Sequence, residues 1–447
     1  DGRNAGAPVC NFMFPGTTDP DNFPTLGEWS EFTAGNPPED RRFLQSAGTF
    51  TLTPGAVNYI TTGVVWARAQ QGGPQASVDL MKLADDKAQA LFDNCFKLID
   101  GPNAPDMSIR ELDKRLILSL TNYDTTAVEL YDQIDPTIVG VPEDDARFKF
   151  QGYQIFQLKD ASATTSDIGN PDRIRLAQQV DIKDGVAQIV NFSFDPALNA
   201  NIPMEMVNGS DKGINHTFVI TQDLFATGNT ALINHKTYYF TVVAYAYNQY
   251  KKYDPNDPAA LDGQKKPYLA GRNNIKTYSA IPHIPTPENS GQVLGSDYGD
   301  GPRIKRIEGQ GNGGMILDFA NSYENDILNA PYRVREPEYV GGNGPLPIKV
   351  YDPVLIENYN YETRFNGVTD ADTWKMSNLS TNTTVDSERS LGQNNEQVFP
   401  EWGLSANIKN VLEAGKPGAE NNGLLGSSVE FSDEDLKWLA PLVDAED

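Results

Sequence analysis

The chain has 447 residues, 39% of them hydrophobic, which is enough for two to four cored domains and too apolar for a disordered chain. Asp and Glu number 61 against 36 Lys and Arg, a net charge of −25 that repels nucleic-acid phosphate and anionic membrane. No window approaches the roughly 18 uninterrupted apolar residues of a membrane span.

The opening "DGRNAGAPVC" carries no initiator Met, charged n-region or apolar h-region, and it reads as mid-domain. Residues 1–74 are expected to be a β-rich segment that ends a larger β-sandwich domain. Within it, 49–69 ("TFTLTPGAVNYITTGVVWARA") predicts two strands joined by a Pro-Gly turn, with Ile60, Thr62, Val64 and Trp66 at period two. Residues 75–103 follow as a connecting helix. Val78, Met81, Leu83, Ala84, Ala88, Leu91, Phe92, Cys95 and Phe96 approximate the 3.6-residue period over 75–98, and this face is expected to pack on a neighbouring domain. Cys10 and Cys95 are the only cysteines; they are a disulfide if the protein is exported and two thiols otherwise.

Residues 104–288 form a second unit. Strands are expected at Asp113–Asn122, Phe148–Asp160, Val186–Phe194, His216–Thr221, 235–250 and Asn274–Pro282, with long loops around 195–215 and 254–273. The run 235–250 ("HKTYYFTVVAYAYNQY") has six aromatics. Strand parity puts Tyr238, Phe240, Val242, Ala244 and Ala246 on one face, as a core demands. Tyr239, Tyr245 and Tyr247 fall on the other, continuing near Tyr250; this is the candidate interaction surface, expected to be covered by the 254–273 loop or by a neighbouring domain. A proline-rich linker, "IPHIPTPENSG", leads to a C-terminal β-rich domain, 289–447. Its stretch 376–428 is low in apolar residues and predicts either a loop-rich lobe or a flexible segment, and its acidic tail predicts a short helix after Ser432. The fold class is therefore mainly β: tandem β-sandwich modules joined by one long helix and a proline-rich linker.

Chemical motifs are scarce. Of three histidines, His216 and His235 flank predicted strands and His283 sits in the linker; no H-E-x-x-H or G-x-S-x-G is present. "EGQGNGG" (308–314) lacks the G-K-[ST] ending of a phosphate loop and predicts a hairpin turn. No catalytic residue is assigned. Oxygen-rich turns offer the carboxylates and carbonyls that hard cations need, so Ca2+ is the candidate ligand, with Asp19, Asp21, Asp254, Asp257, Asp297 and Asp300 as donors. Asp-Pro and Asp-Gly are equally ordinary turn formers.

In "TYYFTVVAYAYN" the spacing of Tyr238, Phe240, Val242 and Ala244 resembles the sixth strand of a fibronectin type III domain, and "FQGYQIFQ" resembles its third. The resemblance implies an Ig/fibronectin type III-like sandwich, with insertions to absorb the extra length, in which the Tyr238 hydroxyl bonds back to the backbone. Over about residues 36–290, "PPEDRRFLQSAGTFTLTPGAVNYITTGVVWARA", "ADDKAQALFDNCFKLIDGPNAPD", "FKFQGYQIFQLKD" and "LDGQKKPYLAGRN" resemble large secreted Bacteroidetes proteins of the type IX secretion class. That implies an extracellular or cell-surface protein. "DTT" at 124–126 resembles the O-glycosylation signal of these bacteria, with Thr125 as acceptor. Together these imply a non-catalytic structural or interaction protein acting in assembly or adhesion. Its partners would be other protein modules or copies of itself. The alternative is an accessory, polysaccharide-binding region of a secreted enzyme.

Overall fold

A computed structural model of the chain describes residues 13–18, 27–37, 39–45, 49–69, 72–93, 95–96, 98–195, 198, 200–261, 263–286, 293–308, 318–330, 334, 336–367 and 369–410. The fold is mainly β, with several antiparallel sheets and few helices. It divides into two compact units, Asp1–Val64 and Val65–Asp447.

In the first unit, Gly16 and Trp29 exchange two backbone hydrogen bonds (2.8 and 3.1 Å), and Phe14 packs its ring 5.0 Å from Trp29. The Pro54–Gly55 turn forms, closed by Ala56 N–H donating to Thr53 O at 3.0 Å. The flanking runs do not form the expected strands among the described residues. Tyr59 is 92% and Val64 95% exposed. β-propensity needs a partner ladder to act on, and none of the described residues supplies a neighbouring strand here.

The second unit begins with α1 (Gly73–Asp93), close to the expected helix. Its half-buried side is Ala76, Leu80, Leu83, Ala84, Lys87 and Leu91. Val78, Met81 and Phe92 stand exposed, so the expected packing face is turned by part of a turn, and no residue of α1 is fully buried.

Next come β1 (Asp106–Leu112), β2 (Arg115–Thr121), β3 (Asp132–Ile134), β4 (Arg147–Leu158), β5 (Ile174–Asp181), β6 (Gln188–Asp195), β7 (Ala200–Asn208), β8 (Thr217–Ile220), β9 (Tyr238–Tyr247), β10 (Tyr268–Ala270) and β11 (Tyr278–Ala280). Strands β1, β2 and β8 form one sheet. In a second sheet β4 is central, pairing β9 on one side and β3 and β5 on the other, while β10 and β11 share the far edge of β9. One core joins both sheets: Leu116, Leu118 and Leu120 of β2, Phe218 and Ile220 of β8, Tyr153 and Ile155 of β4, and Tyr238, Phe240, Val242 and Ala244 of β9. The segment 195–215, expected to be loop, instead supplies β7, which pairs β6 as a two-stranded ribbon.

The second face of β9 is covered. Tyr239 and Val243 pack with Phe156, Leu158 and Ile174. Tyr245 is 0% exposed against Ile189 and Val207 of the ribbon, with the Tyr268 ring of β10 at 5.3 Å. Close approach here needs Gly152: a Cβ on it would lie 2.2 Å from the Val180 carbonyl oxygen.

Residues 293–410 hold α2 (Glu324–Leu328), β12 (Ile348–Val350), β13 (Tyr361–Phe365), β14 (Trp374–Asn378), β15 (Thr383–Asp386), β16 (Gln397–Phe399) and β17 (Leu404–Ala406). Sheets β12–β17–β16 and β13–β14–β15 share a core of Ile348, Val350, Trp374, Met376, Phe399, Trp402 and Leu404. Within 376–410 the strands β15, β16 and β17 and the end of β14 are short, and the segments between them are turn and loop. Residues 309–317 and 411–447, with the predicted hairpin turn and tail helix, lie outside the described residues.

The Tyr238 hydroxyl accepts the Ile233 backbone N–H at 2.9 Å, a bond back along the chain of the kind the tyrosine was expected to make. Tyr238→Phe should cost about 1 kcal/mol. Phe240→Ala, which empties the centre of the core, should cost about 3–5 kcal/mol. Both are measured as lower urea midpoints at unchanged slope.

Candidate functional site

β2 has apolar side chains on both faces. While Leu116, Leu118 and Leu120 enter the first core, Ile117 and Leu112 point the other way and meet Tyr351 and Val398 of the 293–410 segment. Beside this patch, the Arg110 guanidinium forks onto Asp352: Nε donates to Oδ1 at 2.9 Å and Nη2 to Oδ2 at 2.7 Å. Arg115 pairs with Asp297 at 2.6 Å. The two β segments of this unit are therefore joined by a buried interface and not by the linker alone.

The most concentrated chemistry lies in that interface. His216, one residue before β8, has a side chain 1% exposed. Its Nε2 meets Glu129 Oε1 at 2.6 Å, and its Nδ1 meets the Glu396 backbone carbonyl. The Tyr123 ring lies flat on the imidazole, centroids 3.5 Å apart and planes within 5°. Glu129, itself 2% exposed, also accepts the Tyr153 hydroxyl at 3.0 Å and pairs with Arg389 at 3.3 Å. Glu396, one residue before β16, accepts His216 N–H (2.7 Å) and Thr217 N–H (2.9 Å) on Oε2. Its Oε1 takes Thr217 Oγ1 (2.6 Å), Lys349 Nζ (3.0 Å) and Ser405 Oγ. Five donors saturate a carboxylate that offers about four lone-pair sites.

The protonation state follows from the geometry. A carbonyl oxygen and an ionised carboxylate only accept, so both ring nitrogens of His216 must donate, and the side chain is an imidazolium. Burial alone would push the His216 pKa down, but the charge and hydrogen bond of Glu129, with those of Glu396, raise it above its ordinary value. Burial likewise opposes ionisation of both carboxyls. The His216 charge beside Glu129, and Lys349 with the Ser405 and Thr217 hydroxyls beside Glu396, hold each below the carboxylate range. Glu388, which accepts the Tyr123 hydroxyl at 3.3 Å, is pushed up by burial.

The void at this cluster, bounded by Trp374, Glu388, Arg389 and Gln393 among others, measures about 10 Å³. That is room for about one water. An imidazolium with both N–H groups donated has no lone pair for general base catalysis. The arrangement is chemically a clasp. It brings acceptors from one β segment onto donors of the other, at sequence separations of 179 to 260 residues.

The residues singled out from sequence lie elsewhere. Asp254 Oδ1 accepts Asn256 N–H at 2.8 Å, and Asp257 caps the short 3-10 helix Pro258–Ala260 through Ala259 N–H. Asp297 pairs with Arg115, and Asp300 Oδ2 accepts Asp297 N–H at 2.7 Å. These are turn-forming roles, and among the described residues no three Asp, Glu, His or Cys side chains gather to hold a metal ion. Asp19, Asp21 and Cys10 lie outside the described residues; Cys95 is exposed with a free thiol. Thr125 is exposed on a turn. Tyr245 is sealed inside the fold and offers no surface, because the β6–β7 ribbon was unforeseen; Tyr239, Tyr247 and Tyr250 are half-buried. His235 is exposed at φ +65°, and His283 bonds within its own turn through Ile281 O. The sequence signal for the clasp was weak: a lone histidine and a lone glutamate, each directly before a short apolar strand. A comparison with known protein families, curated proteins and solved structures found no match.

Glu396→Gln should cost about 3–5 kcal/mol, because it leaves two cations facing a neutral amide. The pH dependence has two limbs. With its folded pKa raised, His216 contributes fully below its unfolded value near 6.5 and loses that contribution as pH rises through the folded pKa. With theirs lowered, Glu129 and Glu396 contribute above about 4.5 and lose it as pH falls. Urea midpoints should therefore peak between about pH 4.5 and 6.5. In His216→Gln the alkaline limb should disappear.

Proposed function

We propose that this chain is a non-catalytic structural and interaction protein that works outside the cell or at its surface, built from β-sandwich modules of the Ig/fibronectin type III kind. One observation carries the reading: its richest cluster of ionisable groups is closed to substrate and spent on fastening two β cores together. Evolving a sealed imidazolium clasp serves stiffness, since it removes the hinge a proline-rich linker would otherwise leave. The strand pairings support the module assignment. A three-stranded sheet, β1–β2–β8, faces a sheet in which β4 and β9 are central and a tyrosine near the start of β9 bonds back to the chain. The sequence resemblance to type IX-exported Bacteroidetes proteins supports the location, and a glycan on the exposed Thr125 would suit it. Partners would be other modules or further copies of the chain.

The purified chain should hydrolyse no member of a glycan and peptide panel; turnover of any member refutes the reading. Thermal or chemical unfolding should carry residues 104–410 through a single transition. In Glu396→Gln that transition should split in two, with the fluorescence of Trp374 and Trp402 following the second core and far-ultraviolet dichroism following both. Independent unfolding of the two cores in the unmodified protein would remove the mechanical argument.

A further inference from the structure

A large concavity in the second unit lies between α1 and the β6–β7 ribbon and measures about 1400 Å³. That exceeds the roughly 300–1,000 Å³ of sites for single small molecules. Its size suits a segment of a polymer. On the ribbon side, Phe192 and Phe194 occupy alternate positions of β6 and so share a face, about 7 Å apart along the strand. Phe192 is held edge-on by Tyr253, centroids 4.8 Å apart. Tyr253 is held in turn by the Asn201 amide on its hydroxyl at 2.9 Å and by Lys265 over its ring at 5.2 Å. Phe194 is 59% exposed, a large apolar ring kept out of every core. On the helix side and at the rim stand Arg68, Asp79, Lys87 and Lys266, with no ion pair among the described residues.

We infer that this groove binds a neutral polysaccharide strand. Two aromatic rings at alternate strand positions, the first held by Tyr253 and the second exposed, suit the apolar faces of successive sugar rings. The rim supplies both donors and acceptors, which hydroxyl groups need and a purely anionic ligand does not. A net charge of −25 opposes any polyanion approaching from a distance. The inference stands independently of the scaffold reading, since a rigid structural protein can hold a glycan or not.

The test is affinity electrophoresis of the whole chain through gels containing a mixed-linkage β-glucan, a xylan, a mannan or, as anionic control, alginate. The same gels carry Phe194→Ala and Phe192→Ala. Phe194 contributes to no core, so its truncation leaves the fold intact, to be checked by far-ultraviolet dichroism. At least one neutral polysaccharide should retard the chain, and Phe194→Ala should weaken that binding at least fivefold. Four results would overturn the inference: no retardation by any neutral polysaccharide; retardation of both variants undiminished from that of the unmodified chain; retardation by alginate alone; or a dimer in light scattering that Phe194→Ala dissociates, which would place a second copy in the groove.

Discussion

A buried imidazolium needs two acceptors, and His216 finds them on two different parts of the chain. Glu129 belongs to the turn after β2, and the Glu396 carbonyl to the start of β16. Neither β segment alone could keep this cation out of water, because desolvation without full pairing costs several kcal/mol. The surrounding structure is arranged to meet that requirement. Tyr123 caps the ring face, Arg389 and Tyr153 complete the coordination of Glu129, and Lys349 balances Glu396. Backbone conformation is drawn in as well. Gly213, at φ +100°, lies where a Cβ would come within 2.1 Å of the Asn394 carbonyl oxygen. Only glycine lets the chain before β8 come this close to the one before β16.

The same economy of space governs the second sheet. Strands β4 and β9 are buried on both faces; β9 is almost wholly apolar and aromatic, while β4 buries Gln151, Gln154 and Gln157, each of which finds a hydrogen-bond partner. One face closes the core shared with β1, β2 and β8. The other is closed by a ribbon inserted between β5 and β8, with Tyr245 and Tyr268 as the seal. Tyrosine serves here as a large hydrophobe whose hydroxyl can still reach a polar atom, as Tyr268 does on Gln154 at 2.9 Å.

Legibility in the sequence tracked local patterning. The six strands with clear apolar runs between 113 and 282 were placed within a few residues, and so was α1, because period and turn residues act locally. Strands β1, β3, β5, β7 and β10 were missed; their residues are mixed, and only a neighbouring strand makes them extended. The 49–64 run failed in the opposite sense, having strand character and, among the described residues, no ladder to join. The clasp was illegible for a related reason. Its members come from positions 129, 216, 349, 389 and 396, and nothing in the residues around a lone His or Glu shows which other one it will face. The aspartates of the turns were visible, but as oxygen-rich turns they look alike whether they cap a backbone or bind a cation.

Where the clasp sits has a bearing on force. His216 and Glu129 lie far upstream of the 281–293 connection, and Glu396 and Arg389 lie far downstream of it. The connection therefore runs between two points already fastened. Tension pulled through residues 104–410 is met by the Arg110–Asp352 fork and the contacts of the imidazolium as well as by the connection. When those bonds part, the connection is left to carry the load. Such a molecule would be stiff under small loads and would give, once, under a large one.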